Sequence, residues 1–258
     1  MSEAPPLIVE QAGRVAILRL NRPRVLNALS PQLVDALIRA VGVAAADSRT
    51  GCIMVAAEGR SFCAGGDLTA MLAMDVAEFR AYIGTLQALS LAMRRSPVPT
   101  VAALHGHVLA GGFELAIECD IRIATPDVTF GLPDTQIGLS PTSGMSWILP
   151  RLIGESWARQ LLLTGETIDV ATAKRIGLVT RVVEPADLDR AALELARAIA
   201  AQPPVGLRNI RAELGGGGPA GTFEDALARE LEAELECFAT PEFQANLRAF
   251  ADRRRGSP

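Results

Sequence analysis

Two glycine-rich segments and two carboxylates are the parts of this sequence that could do chemistry. SFCAGGDL (Ser61–Leu68) and HGHVLAGGFELA (His105–Ala116) each follow a short apolar run, CIMVAA at Cys52–Ala57 and TVAAL at Thr100–Leu104. Glycine adopts backbone conformations that turn N–H groups into a cleft. A helix starting at Gly111-Gly112 adds the unpaired N–H groups and positive dipole end of its first turn. Two such turns meeting at one oxygen would form an oxyanion hole for an enolate or a tetrahedral intermediate. Glycine spacing alone is met equally by two ordinary tight turns. Glu114 falls in the first turn of that helix, and Asp134 follows Phe130-Gly131-Leu132-Pro133 in a rigid loop. Carboxylates in unlike surroundings can divide base and acid duties, one kept ionised and one kept protonated by burial. A first-turn glutamate also complements the helix dipole, and Glu118, one turn later, is equally placed to pair with Arg122.

The elements that must position these groups follow from periodicity. LIVEQAGRVAILRL reads as two strands around Ala12-Gly13, and Ser30-Pro31 is a cap followed by proline at the first helical position. Leu33, Leu37, Ala40, Val41 and Ala44 form the apolar stripe of that helix, which ends near Asp47. The runs at 52–57 and 100–104 suit strands buried on both faces, with a helix over much of Val76–Arg95 between them. FELAIE is helical and DIRIA, Asp120–Ala124, is a further strand, so the chain alternates strand and helix as an α/β core with crossover units. From Met145 the pattern is mostly helical, including Leu188–Ala201, and Gly215–Gly221 is a loop. Phe223, Leu227, Leu231, Leu235 and Phe238 recur at helical spacing, and Phe243, Leu247 and Phe250 follow on a last helix; these stripes serve a core or a subunit interface. No internal repeat is apparent.

Composition removes other chemistries. The 258 residues carry a formal charge of −4 with 49% hydrophobic residues, enough for a full core and without the basic field that a polyphosphate backbone requires. No nucleic-acid partner is expected. Cys52, Cys63, Cys119 and Cys237 are far apart, and only His105 and His107 could join them, so neither a zinc site nor a disulfide framework is expected. Lys174 is the only lysine and hence the one Schiff-base candidate, and with two histidines and one tyrosine, Tyr82, acid and base work falls to carboxylates. The uncharged stretch Ser96–Phe113 holds two prolines, two histidines and three glycines and is no membrane span, and MSEAPPLIVE lacks the features of a signal peptide. A cytoplasmic enzyme with no membrane association is the expectation.

The chain resembles the enoyl-CoA hydratase/isomerase, or crotonase, superfamily. The resemblance rests on LNRPRVLNALS (Leu20–Ser30), SFCAGGDL, AGGFELAIECDIRIA (Ala110–Ala124), FGLPDTQIGLSP (Phe130–Pro141) and LLLTGETIDVATAKRIGLV (Leu161–Val179), in the family's order and spacing. It implies a crotonase-like spiral of ββα units over residues 1–200, a C-terminal helical region over 201–258 that makes a homotrimer or homohexamer, and an acyl-CoA thioester substrate. It implies oxyanion donors at Gly66 and Gly111, catalytic carboxylates at Glu114 and Asp134, and substrate contacts from Arg24, Leu26, Ala64, Asp67 and Leu68. Arg24 would lie along the CoA moiety. Arg253, Arg254 and Arg255 would either meet its phosphates from a neighbouring subunit or form a solvated tail. Met71, Leu72, Met74, Phe79 and Tyr82, within Leu68–Ile83, suggest an apolar acyl site, although a helix core has the same composition.

The reaction implied is reversible addition of water to a 2-enoyl-CoA, giving a 3-hydroxyacyl-CoA, with Glu114 as base, Asp134 as acid, and no metal or redox cofactor. Typical hydratases carry Glu at the position of Asp134, and the shorter arm, by roughly 1.5 Å, leaves room for altered chemistry. The enzymatic alternative is isomerisation of a 3-enoyl-CoA to a 2-enoyl-CoA through one proton-shuttling base. Thr142 stands where dienoyl-CoA and ring-epoxide isomerases of the family carry Asp, which argues against both of those. The non-enzymatic alternative is a silent CoA-ester-binding homologue, against which the retention of Glu114 and both glycine turns weighs.

Overall fold

The computed structural model describes residues 4–214 and 222–250, with the backbone of the last helix continuing to Arg255. The expected loop at Gly215–Gly221 and the side chains of Arg253, Arg254 and Arg255 lie outside the described residues. The opening hairpin pairs β1 (Leu7–Ala12) with β2 (Val15–Leu20), Leu7 opposite Leu20 and Ala12 opposite Val15. Ser30 then caps α1 (Pro31–Ala46), its hydroxyl accepting from the Leu33 N–H at 3.3 Å, and Asp47 closes the helix. After β3 (Cys52–Ala57) come the short α2 (Leu68–Leu72) and the long α3 (Val76–Arg95), which opens with a reciprocal Asp75–Glu78 capping box.

The next stretch repeats one unit. β4 (Thr100–Leu104), β5 (His107–Leu109) and α4 (Gly111–Glu118) are followed by β6 (Ile121–Ala124), β7 (Thr129–Gly131) and a 3-10 turn at Pro133–Ile137. The first strand of each unit joins a six-stranded sheet and the second a smaller one. An isolated bridge between Cys63 and Val108 gives the stretch after β3 the same course. The chain is therefore a spiral of ββα turns, although no repeat is visible in its sequence. Further along lie α5 (Met145–Ile153), α6 (Glu155–Thr164), β8 (Thr167–Asp169), α7 (Val170–Arg175), β9 (Arg181–Val182) and α8 (Leu188–Ala200). The large sheet runs β1-β2-β3-β4-β6-β9, parallel except for β1, and the small one β5-β7-β8.

The side-chain alternation of a strand allots the apolar runs to two cores. Ile53, Val55, Ala102 and Leu104 enter the larger core with α1, α3 and α4, while Cys52, Met54, Val101 and Ala103 meet Leu188, Ala192, Ala196 and Ala200 of α8. Both faces of these strands are thus filled, which is why they lack charged residues.

Three helices follow: α9 (Pro204–Leu214), α10 (Phe223–Phe238) and α11 (Pro241–Arg255). α9 is pinned to the core by the buried Arg211, which pairs with Asp120 at 2.9 Å and donates to the carbonyls of Met93, Arg94 and Ser96 at the end of α3. Phe223 is 72% exposed, and Leu227, Leu231, Leu235, Phe238, Leu247 and Phe250 are also exposed. A core of the single chain does not account for that stripe. No helix among the described residues is long and apolar enough to cross a membrane.

Candidate active site

The site begins where the first glycine turn is sewn to the second. The Phe62 and Cys63 N–H groups donate to the carbonyls of His105 and His107, and the Leu109 N–H returns to the Cys63 carbonyl at 3.0 Å. Gly65 has φ +112° and a β-carbon there would lie 2.7 Å from that of Ala110, so only glycine lets the turns approach this closely. Gly112 has the same function from the other side, since its β-carbon would strike the Cys63 carbonyl oxygen. A β-carbon on Gly111 would lie 3.7 Å from the Gly66 nitrogen, which brings together the two residues singled out as oxyanion donors. Neither N–H is given to an acceptor among the described residues; that of Gly111 belongs to a first helical turn, which has no intrahelical partner.

Ala110, at the entry to α4, holds φ +47° and ψ −125°. Strain of that kind costs on the order of 1–3 kcal/mol. Its N–H is anchored to the Gly131 carbonyl at 2.9 Å, and the rings of Phe113, three residues after Ala110, and Phe130, one before Gly131, meet edge to face at 6.2 Å. Burying two such rings contributes about 1.5–3 kcal/mol each, enough to hold the strained turn.

Glu114 is 3% exposed on the first turn of α4. Its carboxylate accepts from the Thr142 N–H at 2.7 Å, the Thr142 hydroxyl at 2.7 Å and the Ser143 hydroxyl at 2.8 Å. Asp134 sits near enough for the charge of Glu114 to act on it, in the 3-10 turn that ends β7. Its Oδ2 is buried with no hydrogen-bond partner. Burial, and then the negative charge of Glu114, push its pKa up to about 6.

Glu118 does not pair with Arg122. It faces Arg94, Nε to Oε2 at 2.8 Å, and burial pushes it up to about 7 against that attraction. Arg122 turns away, its Nε donating to the Leu178 carbonyl at 2.6 Å and its Nη1 to that of Cys119 at 2.5 Å. The reason is α4's end: backbone carbonyls released there satisfy the guanidinium, so no carboxylate is needed.

Of the implied substrate contacts, Arg24 is exposed along a groove of 790 Å³ that also includes Pro5, Asn21 and Gln32. Leu26 holds φ +51° and its carbonyl accepts from the Ala64 N–H. Asp67 caps α2 through the Ala70 N–H and is ion-paired to Arg22 at 3.0 Å, while Leu68 starts α2 half-exposed. Met71 and Tyr82 cover Gly66, and Met74 and Phe79 pack on the core, while Leu72 is 89% exposed.

Lys174 is exposed in the last turn of α7, and the thiols of Cys52, Cys63 and Cys119 are pushed up to about 12 by burial. None of these three thiols is an activated nucleophile. Among the described residues no three His, Cys, Asp or Glu side chains are grouped to hold a metal ion.

The hydrogen-bonding roles of three residues at the site were not foreseen from sequence. Asn27, fully buried with φ +56°, accepts from the Arg22 N–H and donates to the Glu58 and Ser61 carbonyls, locking the first turn. An asparagine tolerates the left-handed region, and Asn-Ala after a Pro-containing turn is the available signal. Ser143 and the hydroxyl of Thr142 reach Glu114 across the fold and leave no local signature.

A model of the enoyl-CoA hydratase/isomerase family matches residues 10–257. The chain is 35% identical to a short-chain-enoyl-CoA hydratase of Clostridium acetobutylicum over 96% of its length and 95% of that protein's. It is 32% identical to a crotonyl-CoA hydratase of Syntrophomonas wolfei, over 97% and 96% of the two chains. The crystal structure of an enoyl-CoA hydratase from Bacillus anthracis superposes with a TM-score of 0.93 at 30% identity, covering 96% of each chain. The chain belongs to the enoyl-CoA hydratase/isomerase family and is an enzyme of the crotonase class, with the mixed α/β spiral and helical C-terminal region of that fold.

Proposed function

We propose that the protein is an enoyl-CoA hydratase that adds water reversibly across the double bond of a 2-enoyl-CoA. The Gly66 and Gly111 N–H groups polarise the thioester carbonyl and hold the enolate oxygen. Water bonds to the β-carbon, the π pair moves onto the thioester oxygen, and Glu114 takes the water proton. The enolate then collapses as Asp134 gives its proton to the α-carbon. The proton left on Glu114 returns through solvent to Asp134, and the same steps reversed dehydrate a 3-hydroxyacyl-CoA.

The observation that carries this reading is the Asp134 carboxyl, whose Oδ2 is buried without a hydrogen-bond partner and whose pKa burial and the charge of Glu114 push up to about 6. A carboxyl raised toward neutral pH can take up and deliver a proton there, and a one-base isomerisation would have no use for a second such group. Loss of the conjugated-thioester absorbance of crotonyl-CoA tests the proposal: turnover by the wild type and its loss in both Glu114→Gln and Asp134→Asn support it. Retained isomerisation of a 3-enoyl-CoA in Asp134→Asn, with no hydration by either protein, would assign the one-base reaction instead.

The enzyme works as a homotrimer or homohexamer in this proposal. The apolar stripe of α10 and α11 is exposed in the single chain, and a second copy is the partner the family implies. Sedimentation at micromolar concentration is expected to give a trimer or larger, and a stable monomer would refute the assembly.

A further inference from the structure

We infer that Thr142 and Ser143 are positioning residues that select which oxygen of Glu114 exchanges a proton with the substrate. The inference deepens the hydratase reading and rests on Glu114 being the base. Two consecutive residues converge three donors on one carboxylate: both hydroxyls meet Oε2, at 2.7 and 2.8 Å, and the Thr142 N–H meets Oε1 at 2.7 Å. A carboxylate offers about four lone-pair sites, two on each oxygen. Oε2 is therefore saturated, and the one remaining site lies on Oε1. Glu114 can rotate neither oxygen away without breaking hydrogen bonds inside a buried site.

Ser143 supplies the independent observation. It is buried and holds φ +53°, a left-handed conformation that favours glycine, and the next residue, Gly144, is left-handed as well. A glycine at 143 would relieve that strain, yet a serine stands there and its hydroxyl is spent on Glu114. The 28-residue separation between Glu114 and Thr142 makes this a contact between two turns of the spiral, so it holds Glu114 relative to the segment that follows Asp134.

The test separates positioning from packing. Ser143→Gly is expected to keep or raise Tm, because the strain is relieved, while kcat for crotonyl-CoA hydration falls about 10-fold and KM stays within about twofold. Thr142→Val keeps shape and backbone N–H and should also lower kcat about 10-fold, with Thr142→Ser restoring it. The T142V/S143G pair should fall about 100-fold. Ser146→Ala, an exposed serine in the first turn of α5, is the control expected to match the wild type. Wild-type kcat in T142V/S143G, or a loss of kcat that follows a loss of Tm across the set, overturns the inference. If Glu114→Gln is inactive while T142V/S143G is not, positioning falls and the base assignment stands. If Glu114→Gln keeps its turnover, both fall.

Discussion

Glu114 and Asp134 lie within reach of each other's charge on opposite kinds of support. The first turn of α4 presents Glu114 to three donors from Thr142 and Ser143, whereas the 3-10 turn at Pro133–Ile137 leaves Asp134 with one buried oxygen that has no hydrogen-bond partner. Glu114 is buried whole, whereas Asp134 is partly exposed and buries one carboxyl oxygen. They differ further in their supply of hydrogen-bond donors, and for Glu114 that supply comes from another segment of the fold rather than from the helix that carries it. Glu118 extends the comparison: four residues along the same helix, it is met by the Arg94 guanidinium and is pushed up to about 7.

The largest break in this comparison is expected from Glu114→Gln. The amide keeps the side chain's shape, and the two hydroxyls can turn to accept from it, so circular dichroism and Tm should stay near wild type. Hydration should fall about 10²–10⁴-fold, the range of a lost general base, in the crotonyl-CoA absorbance assay.

Asp134→Asn follows, with an expected loss of about 100-fold and a pH signature of its own. A proton donor is active while protonated, so wild-type kcat/KM should fall as pH rises through about 6. Stability has the matching sign. The folded-state pKa is raised above the unfolded value of 3.8, so the folded protein binds this proton more tightly than the unfolded chain. The stability linked to it is full below that value and is lost as pH rises through about 6. Asn has no charge to desolvate, and Tm measured at pH 8 should exceed that of the wild type, with the gain vanishing at pH 4. A gain that is the same at both pH values would show that burial of the Asp134 charge is not its source.

A smaller effect is expected outside the cleft. Arg24→Ala should weaken binding of CoA esters about fivefold and leave truncated pantetheine thioesters unchanged, the scale of one exposed charge pair. Titration calorimetry in low and high salt checks this, since screening should shrink the difference. Equal losses for the two ligands would move Arg24 from the CoA phosphates to packing.

The smallest change in rate is expected from Glu118→Gln, within about twofold of wild type, because the side chain faces Arg94 and has no donor in common with Glu114. A loss approaching that of Glu114→Gln would join the two carboxylates into one proton-transfer unit and end the distinction between them.

Much of the frame was legible because its causes are local. The apolar runs at 52–57 and 100–104 could bury two faces only as central strands, Ser30-Pro31 could begin α1 in one way, and the glycine pairs marked the places where two backbones approach. The motif order also singled out the two glycine turns and the two carboxylates of the candidate site. The helical spacing in α10 and α11 established that an apolar face exists. That the face is exposed in the single chain could be seen only after Arg211 had docked the region on α3, because periodicity records a side chain's direction and not what covers it.

The sequence by itself determined which residues could be donors, acids and bases, since that is a property of residue type and of the element each begins or ends. The tertiary structure alone decided their partners. Thr142 and Ser143 reach Glu114 over 28 and 29 residues, Arg22 reaches Asp67 over 45, and Glu118 meets Arg94 rather than the nearer Arg122. Hydrogen bonds of this kind depend on ångström-scale placement of side chains from different turns of the spiral, and no spacing along the chain encodes that distance.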